Sequence, residues 1–144
     1  KANWEKLKLK EGKKSVLEGV PRSLPAVVKA TRIQEKARGI GFDWEETHQV
    51  WDKIEEELGE LRAEVEAGNQ QKTEEEFGDF LFSAINLSRF LKVDAESALE
   101  RTNKKFIHRF TYLEKKAAEL GKQLSEMTLA EMDVYWEEAK NVGK

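Results

Sequence analysis

Two short acidic runs in this chain have the spacing that metal chemistry requires. One reads Lys53-Ile54-Glu55-Glu56-Glu57-Leu58-Gly59-Glu60-Leu61, the other Glu74-Glu75-Glu76-Phe77-Gly78-Asp79-Phe80-Leu81-Phe82. Each holds two carboxylates three residues apart, Glu57 with Glu60 and Glu76 with Asp79. On an α-helix such a pair lies one turn apart on the same side. If both runs are helical and fold back on one another, four carboxylates converge, and four hard oxygen donors around one space suit Mg²⁺ or Mn²⁺. Spacing alone is weak evidence. The chain is 37% charged with 28 Asp plus Glu, and such a composition scatters Glu-x-x-Glu pairs over solvated helix faces.

Helical phase carries more weight. At ~100° per residue, Trp51, Ile54, Leu58, Leu61 and Val65 form one apolar stripe, with Glu57 on its flank and Glu60 and Glu64 a little further round. In the second run Phe77, Phe80, Leu81, Ala84, Leu87, Ser88 and Leu91 form the stripe, Glu76 borders it, and Asp79, Ser83 and Asn86 continue the polar edge. This phase predicts carboxylates at the seam between core and solvent.

A second constellation is Asn103-Lys104-Lys105-Phe106-Ile107-His108-Arg109-Phe110. Phe106 and Phe110 have the spacing of a core pair, while Lys105 and Arg109 stack one turn apart without an acid in reach on their own helix. They are either a solvated basic face or a clamp for an anion held beside bound metal, since Mg²⁺ with Lys and Arg is the usual set for phosphoryl chemistry. The histidines offer less. Glu45-x-x-His48 has the spacing of carboxylate di-iron bundles, but such bundles need two copies, and His48 reads as a surface residue near a helix start. No Ser/His/Asp arrangement and no phosphate-cradling Gly-rich loop stands out.

The elements that must position these groups are all helical. Residues 1–23 read as an arm packed on the body through Trp4, Val16, Leu17 and Val20, with Trp4, Leu7 and Leu9 making a short amphipathic turn and Gly12, Gly19 and Pro21 interrupting any long helix. Residues 24–144 read as one helical domain. Ser23-Leu24-Pro25 opens a first helix, Ser23 near the cap and Pro25 in the first turn, which Gly39 and Gly41 close. Asp43-Trp44-Glu45-Glu46 has the form of a capping box for a helix running to about Ala67, ended by Gly68-Asn69. The short connection to Lys72 forces the next helix, from about Gln71 or Thr73 to Leu91, to run antiparallel. Asp94 caps a long fourth helix to roughly Leu120, with Ala98, Leu99, Phe106, Phe110 and Leu113 at helical spacing, stopped by Gly121. Thr128-Leu129-Ala130-Glu131 caps a last helix with Met132, Tyr135 and Trp136. The expectation is an all-α bundle of about five helices.

Composition narrows the function classes. At 144 residues and 39% hydrophobic content, the chain is one domain's worth of ordinary globular sequence. Net charge is −3 with both signs interspersed, so no basic surface for a nucleic-acid polymer is expected. No apolar run approaches the ~20 residues of a membrane span, and Lys1 to Lys14 lack the apolar segment of a signal peptide. Without cysteine, disulfides, thiol chemistry and Cys-based zinc sites are excluded, and a cytoplasmic location is the default expectation. The lysine at position 1 suggests a piece of something longer. The apolar arcs of residues 77–91 and 98–113 are wider than one short neighbouring helix covers, which predicts a homodimer.

These motifs together resemble the MazG-type nucleoside triphosphate pyrophosphohydrolases, whose pattern is Glu-Glu-x-x-Glu, a spacer, then Glu-x-x-Asp. Glu56-Glu57-Leu58-Gly59-Glu60 and Glu76-Phe77-Gly78-Asp79 match it, with residues 61 to 75 between. The likeness extends to Gly19-Val20-Pro21-Arg22-Ser23-Leu24-Pro25, Gly41-Phe42-Asp43-Trp44, Gly78-Asp79-Phe80-Leu81-Phe82, Asn86-Leu87-Ser88-Arg89, Asn103-Lys104-Lys105-Phe106 with Arg109-Phe110, and Trp136-Glu137-Glu138. It looks like the C-terminal half of the two-domain members. The resemblance implies a dimeric helical hydrolase that cuts nucleoside triphosphates, ribo or deoxy, into monophosphate and pyrophosphate. It implies Mg²⁺ on Glu57, Glu60, Glu76 and Asp79, phosphates held by Lys72, Lys105 and Arg109, and Trp136 as a nearby aromatic. The alternative is a similar dimer acting as a nucleotide-binding or regulatory module with little hydrolysis, against which stands the presence of all four acids.

Overall fold

The computed structural model describes residues 15–142. Among them the chain is all-helical, with five α-helices and one 3₁₀ turn. These are α1 (Ala26–Gly39), α2 (Thr47–Ala67), α3 (Gln70–Phe90), α4 (Ala95–Glu119), the 3₁₀ turn Leu124–Glu126, and α5 (Leu129–Ala139). Two compact units divide at Glu96 and Ser97, just inside α4.

The first unit is built on the α2–α3 hairpin. Gly68 takes the left-handed conformation (φ 73°) that closes α2, a position a side chain would strain. Asn69 then caps α3, its Oδ1 accepting from the Lys72 backbone N–H at 3.0 Å. One residue ending a helix and the next starting another leave no room except for an antiparallel return. Helix α1 lies on α3, pinned by buried Gln34, whose Nε2 donates to the Phe82 carbonyl at 2.9 Å.

Two capping expectations are corrected. The α1 N-cap position is Pro25 (φ −55°, ψ 146°), and Ser23 lies outside the helix in the turn before it. Helix α2 begins at Thr47, so its cap is Glu46, with Gln49 Oε1 accepting from the Glu46 and Glu45 backbone N–H groups at 3.0 and 3.1 Å. Asp43 serves a longer-range contact: its Oδ1 lies 3.1 Å from Arg89 Nη2 and its Oδ2 3.6 Å from Arg38 Nε. Arg89 is nearly buried and is steadied by Asn86, whose Oδ1 accepts from Arg89 Nε at 3.1 Å. The α1–α2 loop is thereby tied to the far end of α3.

The second unit pairs α4 with α5. Phe106 stacks on Phe110 at 5.9 Å and meets the Trp136 ring, tilted, at 5.1 Å. Leu113, Ala117, Met127 and Ala139 are buried. Tyr112 donates to Glu138, and Lys116 reaches Glu119 and Glu138 at 3.4 and 3.8 Å. Thr128 and Glu131 form the expected reciprocal cap of α5, at 3.1 and 3.2 Å. Of the arm read over residues 1–23, Trp4, Leu7, Leu9 and Gly12 lie outside the described residues. Val16 and Val20 are half-buried and Leu17 is exposed.

Candidate metal centre

Helix α2 does not bury the stripe its apolar residues mark out. Trp51, Leu58 and Val65 are 48%, 42% and 57% exposed, whereas Val50 is 1% and Glu57 5% exposed. The inward row is Val50, Ile54, Glu57, Leu61 and Glu64, spaced by fours and threes, and Glu57 stands in its middle. The expectation that Glu57 flanks the core is therefore corrected: this carboxylate points into the helix pair. A charged group buried there is costly unless something compensates it.

What it meets across the hairpin is more acid. One carboxylate oxygen each from Glu57, half-buried Glu76 and exposed Asp79 lie within 4.8 Å of one another. Glu60 joins from the α2 side through a hydrogen bond with Glu76. The four positions named from the sequence are thus neighbours, three of them in one tight group. Burial, the Glu60 hydrogen bond and the negative charges of Glu60, Glu57 and Asp79 push the Glu76 carboxyl up to about 7. Glu57 Oε2, Glu64 Oε2 and Glu76 Oε2 are buried and have no hydrogen-bond partner. Buried acceptors left unsatisfied are rare in folded proteins. A set made wholly of carboxylate oxygens is the donor type for a hard divalent cation, so the residues fit one. Glu55, Glu56, Glu74 and Glu75 are exposed.

A cation that the sequence analysis gives no role stands beside the group. Lys53, one turn before Glu57, places Nζ 3.0 Å from Glu57 Oε1 and 3.5 Å from Glu56 Oε1. The hydrogen bond to Glu57 holds the Lys53 ammonium above its ordinary pKa. Its i,i+4 spacing was the available signal, and it looks the same as any exposed helical ion pair. Lys72, exposed, lies one turn before Glu76 on α3. Lys105, Arg109 and Trp136 belong to the second unit. There the Arg109 guanidinium lies 5.9 Å from the Trp136 ring centroid, a cation–π contact, while Lys105 is exposed. His48 is exposed, its Nδ1 3.0 Å from Glu46.

Comparison with known proteins places the stretch that carries the acids in a known family. Residues 45–113, which span both acidic runs, match the MazG nucleotide pyrophosphohydrolase domain. A Thermotoga maritima protein named nucleoside triphosphate pyrophosphohydrolase/pyrophosphatase MazG is 47% identical over 140 residues, covering 95% of this chain and 54% of the relative. An Escherichia coli K12 protein named nucleoside triphosphate pyrophosphohydrolase is 39% identical over 145 residues, covering 96% and 55%. The chain spans about half the length of these relatives. With the domain match across the hairpin and relatives of this similarity over nearly its whole length, the chain belongs to the MazG family.

Proposed function

We infer that this chain hydrolyses nucleoside triphosphates, ribo or deoxy, to the nucleoside monophosphate and pyrophosphate. The observation that carries the reading is the group of Glu57, Glu76 and Asp79 oxygens within 4.8 Å, with buried acid oxygens left unpartnered, in a chain whose relatives are named for that hydrolysis. Glu57, Glu60, Glu76 and Asp79 would hold Mg²⁺, with Mn²⁺ as a substitute. When bound, the ion supplies charge neutralisation for the triphosphate and acidifies the attacking water.

The chain's own residues supply the rest. Glu76, whose carboxyl burial and the neighbouring acids push up to about 7 while no ion is bound, would release its proton on taking up the ion. Lys72, Lys105 and Arg109 hold the phosphates, and Trp136, braced against Phe106, holds Arg109 in place and offers an aromatic face. The roles of these four follow from the family resemblance and, for the three cations, also from their charge. The active form is a homodimer in the cytoplasm; among the described residues no helix is long and apolar enough to cross a membrane.

Turnover in ¹⁸O water tests the reading. Attack at the α-phosphorus puts the label in the monophosphate and none in pyrophosphate, and product release requires Mg²⁺ or Mn²⁺. Label in pyrophosphate means attack at the β-phosphorus. A diphosphate with free phosphate means a different reaction, and no turnover across a nucleotide panel leaves a binding module.

A further inference from the structure

Glu57 is the most buried of the grouped acids, and the cation facing it comes from its own helix. The Glu57 side chain is 7% exposed and that of Lys53 37%, so the ammonium straddles the boundary between the acid group and solvent. Lysine before glutamate at i,i+4 is the weaker order of a helical pair, and fixing a long lysine stem costs rotamer freedom. Helix stability is thus a poor reason for the contact. Desolvated negative charge is a better one: Glu57 Oε2 has no partner, and Lys53 satisfies Oε1 alone. One oxygen each from Glu57, Glu76 and Asp79 lies within 4.8 Å of the others, and Lys53 holds a Glu57 oxygen beside that group. A divalent cation held there would draw on Glu57, which then has to share or surrender its lysine.

We propose that Lys53 is a tethered counter-ion of the metal centre, which competes with the divalent cation for Glu57 and so sets the affinity of the site. Metal binds by exchange with the ammonium. On dissociation Lys53 returns, so the buried carboxylate is never left without positive charge and the hairpin stays assembled. Affinity is thereby weakened in exchange for a site that survives metal loss. The proposal rests on the metal-centre reading given above.

Mn²⁺ binding, followed by the EPR signal of the free ion without nucleotide, tests it on wild type, K53M, K53Q and E57Q, with circular dichroism to establish folding. The expected result is Mn²⁺ bound roughly three- to fivefold more tightly by K53M and K53Q, the scale of a part-exposed ion pair. Both should melt below wild type in EDTA and regain the difference in Mg²⁺. In wild type the Lys53 ¹³Cε resonance should shift on adding Mg²⁺, and in E57Q it should not. Folded K53M and K53Q that bind Mn²⁺ as wild type does, or more weakly, overturn the counter-ion role while leaving the metal centre standing, provided E57Q loses binding. Wild type that binds no Mn²⁺ overturns both.

Discussion

Glu60 and Glu76, from facing helices of one hairpin, share a hydrogen bond that two ionised carboxylates cannot make. Burial is the larger cause of the shift that accompanies it, and the Glu76 carboxyl stands near 7 against an ordinary 4.5. The folded protein therefore holds a proton that the unfolded chain has released between those values. Stability must fall as pH rises through that window, since the folded state binds more protons there. Thermal melts in EDTA from pH 4.5 to 7.5 should show this decline, and Glu76→Gln should remove that component. Below pH 7, Mg²⁺ binding should release a proton, measurable as a buffer-dependent heat. Identical pH profiles for wild type and the variant would refute the assignment.

How much of this was legible in the sequence depended on the range of the interaction. The hairpin was: Gly68 and Asn69 are local signals, and both behave as their types require. The four acids were named, because a three-residue spacing repeated on two helices survives any small error of phase. The burial of Glu57 was not. Trp51, Leu58 and Val65 outweigh Ile54 and Leu61 in apolar bulk, so the stripe pointed away from the face that α3 covers. Asp43 was misread for a related reason. An acid three residues before Glu46 imitates a cap, and its partner Arg89 lies 46 residues away.

The metal assignment makes a second prediction. Mg²⁺ that binds only the folded arrangement stabilises it by RT ln(1 + [L]/Kd), about 2.7 kcal/mol at a hundredfold excess over Kd. For a domain of this size that is a rise in Tm of several degrees. NaCl at matched ionic strength controls for screening. The Glu57→Gln/Asp79→Asn double variant should lose the shift and the metal-dependent turnover while staying helical, and by relieving like-charge repulsion it should melt slightly above wild type in EDTA. Equal stabilisation of both proteins by Mg²⁺ would mean that the ion sits elsewhere.

Arg109 tests the phosphate-binding role. Its guanidinium rests near Trp136, and a charge-assisted contact with phosphate is worth roughly 1.5–3 kcal/mol. Arg109→Ala should cost about ten- to a hundredfold in kcat/KM. Loss of packing on Trp136 would lower Tm without that kinetic defect, so both are measured. An unchanged kcat/KM would return Arg109 to a structural role.

Assembly is the remaining expectation, and the hairpin supplies its argument. Trp51, Leu58 and Val65 on α2 and Phe77 and Leu81 on α3 are each between 42% and 57% exposed. Scattered exposed apolar residues are normal, but rows along two adjacent helices mark an interaction face. A second copy would bury these rows. Light scattering at micromolar concentration should give twice the 16.6 kDa chain mass. Val65→Asp, about two turns of α2 beyond Glu57 and more than one beyond Glu60, should shift the protein toward monomer without loss of helicity. If the wild-type protein scatters as a monomer, the exposed rows have some other use and the centre must work within one chain.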